Sequence, residues 1–125
     1  MTTNTTTPES VVQRQLDAYN ARDIDALMAA YADDIELFEH PSNLLASGAS
    51  QVRERQAARP AEPNLHAKLV NRMVMGSIVI DHEVVTRTFP ESTGRIELVA
   101  IYQVRNDRIA KAWFLFGPKT LDAKP

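Results

Sequence analysis

The stretch Tyr31-Ala32-Asp33-Asp34-Ile35-Glu36-Leu37-Phe38-Glu39-His40-Pro41 decides how this chain folds, because a helical pattern ends in it and a strand begins. Upstream, Ile24, Leu27, Met28 and Tyr31 recur at the spacing of one helix face. The Asp33-Asp34 pair is read as the break in that helix. From Ile35 onward apolar residues run towards Glu39 and His40 until Pro41, which lacks the N–H a ladder needs, ends the pairing. Such a strand carries an acid or a base to its own tip. Acid–base chemistry in this chain is expected to start there.

Working outward towards the N-terminus, Asp23 is the expected cap of the short helix that ends at Tyr31. Before it, Thr7 as N-cap and Pro8 at the first helical position open an amphipathic helix with Val12, Leu16 and Tyr19 on one face, ending near Ala21-Arg22. On the other side, Asn43 to Ala46 reads as a short strand, and Ser47-Gly48 leads into a third helix over Gln51–Arg59 that Pro60 and Pro63 terminate. From Asn64 the period changes to two. Turn residues at Gly76-Ser77, Pro90 to Gly94 and Asn106-Asp107 divide four antiparallel strands, 64–75, 78–89, 95–105 and 108–116. No βαβ rhythm and no glycine-rich phosphate loop is present, so the class is α+β rather than a nucleotide-binding fold.

A chain of 125 residues builds one domain around one core, here residues 9–120 between an N-terminal tail (1–8) and a C-terminal tail (121–125). Its 14 basic and 16 acidic residues form no like-charged run, which removes the electrostatic footprint of a nucleic-acid partner or an anionic membrane. No segment reaches the roughly 20 apolar residues needed to cross a bilayer. The absence of cysteine excludes disulfides and thiolate sites, and fits a reducing, cytoplasmic location. Histidines 40, 66 and 82 lack close ligand spacing, so no metal is expected, and no bound cofactor is indicated.

The last two strands are apolar on both faces. One set is Leu98, Ala100, Tyr102 and Val104 with Ala112, Phe114 and Phe116; the other is Val99 and Ile101 with Trp113 and Leu115. An antiparallel sheet with one face under helices normally shows water a polar second face, so an apolar second face calls for another cover, a second copy of the chain or the helices and C-terminal tail wrapped round it. A homodimer through Val99, Ile101, Trp113 and Leu115 is expected.

Val11-Val12-Gln13-Arg14, Asn20-Ala21-Arg22-Asp23-Ile24-Asp25, Tyr31-Ala32-Asp33-Asp34, Ser47-Gly48 and Leu115-Phe116-Gly117, in this order of elements, resemble the nuclear-transport-factor-2-like superfamily, and within it the SnoaL-like and ketosteroid isomerase-like branch. The resemblance implies a cone-shaped α+β fold, with three N-terminal helices packed on a strongly curved, mostly antiparallel sheet around an apolar pocket. Ketosteroid isomerases use an aspartate base with a tyrosine and a protonated aspartic acid as oxyanion donors. The matching positions here hold His40, Gln15 and Tyr102, so the resemblance implies the container and not that reaction.

On that matching, His40 is the expected general base, and His82 and Tyr102 the donors to a developing oxyanion. His82, Val84 and Thr86 are implied to face inward, with Glu83 and Arg87 on the other face. Gln15, Phe38, Glu39, Val84, Ala100, Phe114 and Phe116 are the expected substrate-binding residues. Strict alternation from Ile35 and Leu37 instead turns Glu39 inward, and a bulge restores His40; both readings stand at this level. Two function classes follow. One is a cofactor-free acid–base isomerase, cyclase, hydratase or dehydratase acting on a small apolar carbonyl compound. The other is a non-catalytic module of the same fold that binds a small apolar ligand or serves dimerisation.

Overall fold

The computed structural model describes residues 6–59 and 62–122. Its elements are α1 (Pro8–Ala21), α2 (Ile24–Ala29), β1 (Tyr31–Glu39), β2 (Asn43–Ser47), α3 (Ala49–Ala57), β3 (His66–Met75), β4 (Ile78–Thr88), β5 (Thr93–Arg105) and β6 (Arg108–Leu121). All six strands form one sheet in the order β2-β1-β6-β5-β4-β3, antiparallel except where β1 runs alongside β6. The α+β class and the four-stranded meander are as the sequence led us to expect. The helices do not form an uninterrupted N-terminal block, since α3 lies between β2 and β3.

Local signals account for most boundaries. Thr7 caps α1 by accepting from the Ser10 amide at 3.1 Å, and Ser10 Oγ accepts from the Thr7 amide at 2.9 Å. Asp23 caps α2 through the Ala26 amide at 3.0 Å. Asn106 and Asp107 both have positive φ, the geometry a two-residue hairpin between β5 and β6 requires.

Two boundaries in particular differ from expectation. The break after α2 falls at Ala30, not at Asp33-Asp34; both aspartates sit exposed within β1, where Asp34 pairs with Arg105. The last strand runs on to Leu121, which pairs with Gly94, past its expected end at Phe116. That extension includes a bulge, Gly117-Pro118 opposite Glu97, where a proline costs no ladder bond. A Cβ at Gly117 would lie 3.1 Å from the Glu97 carbonyl oxygen, which explains the glycine. The tails at 1–5 and 123–125, and Pro60, lie outside the described residues.

One face of the sheet lies under the helices. Val79, Tyr102 and Ala112 stand side by side across β4, β5 and β6, followed by Asp81, Ala100 and Phe114, and then by Glu83, Leu98 and Phe116. Val11 and Val12 of α1, Leu27 of α2, Val52 of α3 and Ile35 of β1 complete the core against this face. The edge strand β3 is tied to α1 by the Asn20 side chain, which donates to the Ala67 carbonyl at 2.9 Å and accepts from the Ala67 amide at 2.8 Å. A side-chain amide thereby supplies the pairing that an edge strand otherwise lacks. The opposite face carries Ile101 beside Trp113 and Val99 beside Leu115, with no helix over it among the described residues.

Candidate functional site

Between the helices and the covered sheet face lies a cavity of about 550 Å³. Its floor is polar. Gln15 comes from the buried side of α1, Tyr31 begins β1, Glu83 is central in β4 and Tyr102 lies towards the end of β5, and each is no more than 7 % exposed. Leucine, valine and isoleucine side chains of α1, β4 and β5 form walls with Phe114, whose ring meets Tyr102 edge-on at 6.3 Å and stacks on Phe116 at 6.3 Å. The more exposed rim consists of Arg55, Gln56 and Arg59 from α3 and its exit, Arg87 from β4 and Phe89 just after it.

Glu83 is the unusual member of the floor. Its Oε2 is buried without a hydrogen-bond partner among the described residues. Burial, reinforced by the negative charge of Asp81, lifts its carboxyl from 4.5 to about 7, while Arg72 pulls in the other direction. Asp81, two residues earlier on the same face, is fully buried yet matched: Arg72 donates to its two oxygens at 2.7 and 2.9 Å. The same guanidinium reaches Gln13 at 2.9 Å and Glu9 at 3.8 Å. One carboxylate of the pair is therefore committed to an ion pair, and the other is left free to exchange a proton.

The phenols around Glu83 are kept neutral. Burial pushes Tyr31 up to about 12 and raises Tyr102 well above its usual range, with the nearby Glu83 charge adding to both. Gln15 donates from Nε2 to the Tyr31 hydroxyl at 3.4 Å, and its Oε1 is buried without a partner among the described residues. At the rim, Glu62 accepts from Arg87 at 3.2 and 2.8 Å and from the Thr88 amide at 3.0 Å, which holds its carboxyl down to about 2.

Of the residues singled out in the sequence, Gln15, Tyr102, Phe114 and Phe116 line this cavity. Ala100 is wholly buried in the core and does not line it. His40 and Glu39 are both exposed and absent from the cavity wall; Glu39 meets Asn43 at 3.4 Å, and the His40 amide donates to the Phe114 carbonyl at 2.8 Å. The extra residue opposite Leu37 and Phe38 is Leu45, in β2, so no bulge at the end of β1 turns His40 inward; Glu39 keeps the parity of Ile35 and Leu37, opposite Phe114, yet is exposed at the strand end. Phe38 turns to the uncovered face and stacks on Trp113 at 5.8 Å.

The β4 parity is the reverse of that implied by the resemblance. Residues directly opposite share a face, and His82 is opposite Val99 while Glu83 is opposite Leu98. His82 therefore sits on the uncovered face bonded to Glu97, with Val84 beside it. His40, His82 and Tyr102 are not brought together. Glu83, Asp81 and Arg87 were missed, although charges at three of the four alternate positions from Asp81 to Arg87, Val85 being the exception, are themselves a signal, since polar groups recur there at the period of one strand face. Among the described residues no three His, Asp or Glu side chains converge as a metal set would, and no helix is long and apolar enough to cross a membrane.

A family model for the SnoaL-like domain matches residues 12–112. The chain belongs to the SnoaL-like domain family. No curated protein matches it in sequence. Among solved structures it is similar to an uncharacterised cystatin-fold protein from Novosphingobium aromaticivorans, at 24% identity and TM-score 0.79, over 86% of this chain and 97% of that one. A candidate SnoaL-like polyketide cyclase from Shewanella putrefaciens is similar at 16% identity and TM-score 0.77, over 87% and 88%. A SnoaL-like protein of unknown function from Burkholderia thailandensis is similar at 23% identity and TM-score 0.70, over 89% and 95%. At these identities the likeness is one of fold. Within the SnoaL-like fold of this chain, the cavity floor of Gln15, Tyr31, Glu83 and Tyr102 is what has to be interpreted chemically.

Proposed function

We propose that this SnoaL-like protein is a cofactor-free acid–base enzyme of the isomerase, cyclase or dehydratase kind, acting on a small, largely apolar carbonyl compound. One observation carries the reading: a buried, unpartnered carboxyl with proton affinity near neutrality stands among neutral hydroxyl and amide groups. Among the groups on the cavity floor, Glu83 is set to change charge around pH 7, because burial raises the Tyr31 and Tyr102 phenols. In this mechanism the Glu83 carboxylate removes a proton from the carbon beside a carbonyl. The electron pair moves onto the carbonyl oxygen, where Tyr102 donates a hydrogen bond and Gln15 Nε2 or Tyr31 supplies a second. Glu83 then returns the proton to the same or a neighbouring position of the enolate, so the carboxyl ends as it began. The SnoaL-like polyketide cyclase among the structural relatives agrees with a reaction of this class.

Carbon-13 NMR of the Glu83 carboxyl is expected to titrate near pH 7, and Glu83→Gln to lower kcat by ~10²–10⁴-fold, the usual contribution of one general base. Titration at an ordinary carboxylate value would remove the basis of the mechanism. For assembly, we propose a homodimer through the uncovered face, where Val99, Ile101, Trp113 and Leu115 form a contiguous apolar patch and Leu115 remains 36% exposed. The absence of cysteine supports a cytoplasmic setting.

A further inference from the structure

The rim of the cavity has a charge pattern that a purely apolar substrate does not use. We infer that the ligand of this site is an organic anion, an apolar body ending in a carboxylate or similar group, with the charged end at the arginine rim and the reacting carbon at the Glu83 floor. This deepens the reading of the cavity as an active site and rests on it.

Three guanidinium groups, Arg55, Arg59 and Arg87, reach the rim from two different elements. The acid that meets them is Glu62, whose two oxygens are taken up by Arg87 and the Thr88 amide. Three arginines against one carboxylate leave a charge of +2 at the opening. Lys119, above the Phe89 ring at 4.8 Å, adds none, because Glu91 lies 3.6 Å from its ammonium.

Arg59 is the informative residue. Its guanidinium lies over the Tyr19 ring at 5.8 Å, and that ring is itself part of the cavity wall. Arg59 Nη2 is buried yet stands 3.6 Å from Glu62 Oε2, too far for a hydrogen bond, and finds no acceptor among the described residues. A buried cationic donor without an acceptor is unfavourable in a protein that does nothing with it, and favourable where an anion arrives to accept. Tyr19 fixes the group through its ring face and by accepting one hydrogen bond from Arg59 Nη1 at 3.4 Å, which leaves Nη2 for a ligand.

Charge also sets the direction of binding. An anionic group at the floor would meet an ionised Glu83 beside Asp81, whereas at the rim it meets two uncompensated positive charges. The end of the molecule that reacts is therefore the uncharged end. A volume of about 550 Å³ suits a ligand of two fused rings or a comparable chain.

The test uses 2-naphthoate and 2-naphthamide, equal in shape and different in charge, titrated calorimetrically into the full chain at low ionic strength. Naphthoate should bind at least ~10-fold more tightly, the worth of about one charge-assisted hydrogen bond. Added salt should weaken naphthoate alone. Arg59→Gln and Arg55→Gln should each erode the preference while leaving naphthamide binding in place. Equal affinities in the unmodified protein, or no binding of naphthoate at millimolar concentration, overturn the inference. The result is independent of catalysis: Glu83→Gln should retain the preference, so loss of anion selectivity with Glu83 still titrating near neutrality refutes the ligand class and leaves the acid–base reading standing.

Discussion

Replacing Glu83 by glutamine should make this protein more stable, and by an amount that depends on pH. Its folded-state carboxyl is raised from 4.5 to about 7 by burial and by Asp81, and the side chain is 5% exposed. The folded state thus holds the proton more tightly than the unfolded chain does. Below about pH 4.5 the group is protonated in both states and costs nothing. As pH rises towards 7 the unfolded chain ionises first, and above 7 the folded protein carries a buried, unmatched carboxylate. At about 1.4 kcal/mol per pH unit, the difference between the two values amounts to about 3 kcal/mol at pH 8 and about 1 kcal/mol at pH 5. Glutamine keeps the shape and removes the ionisation. Urea unfolding of both proteins at pH 5 and pH 8 should therefore show Glu83→Gln gaining about 2–3 kcal/mol more over the parent at pH 8 than at pH 5. A stability difference that is flat with pH, or a variant less stable than its parent at pH 8, would refute the reasoning, because either result means that the carboxyl is not held near neutrality by burial. Retaining a destabilising group in the floor of a cavity is what a functional site is expected to do.

Asp81→Asn removes the charge that raises Glu83 and leaves Arg72 uncompensated beside it, so the Glu83 carboxyl should titrate lower than in the parent; an NMR titration that moved upward would contradict this arrangement. Trp113→Asp buries a charge in the uncovered apolar face and should shift the protein towards monomer by light scattering, while an unmutated protein that is already monomeric at micromolar concentration would sink the dimer. Purified protein should isomerise an unsaturated ketosteroid no faster than background, because Gln15 and Tyr102 replace the more acidic donors of that reaction; efficient turnover would show that the donors matter less than argued.

Much of the framework could be read from residue order. Thr7-Pro8 and Asp23 are local capping signals, and the caps they form involve residues three positions apart. Asn106-Asp107 has the turn chemistry of a two-residue hairpin, and the meander follows from such punctuation. The family resemblance was legible for the same reason, since its short matches are mostly turns, caps and helix faces. Tyr102 and Gln15 were found because the family resemblance matches them to the positions of its oxyanion donors.

What residue order left undetermined is which face of β4 meets the helices, and on that the site depends. Period-two alternation defines two faces but does not name the inner one. On β4 one set reads Val79, Asp81, Glu83, Val85 and the other Ile80, His82, Val84, Thr86, and both mix apolar with ionisable residues. The decision comes from the register across the loop between β4 and β5, which places Glu83 opposite Leu98 and His82 opposite Val99. A similar uncertainty at the end of β1 was removed by β2, where Leu45 is the bulged residue: Glu39 rather than His40 keeps the parity of Phe114, but both are exposed and neither lines the cavity. The sequence alone therefore determined the elements, their order and the fold family, because those are set by local geometry and periodicity. Tertiary structure alone decided that the proton-exchanging group is Glu83 and that arginines ring the opening, because burial and charge environment are properties of neighbours brought together from distant parts of the chain.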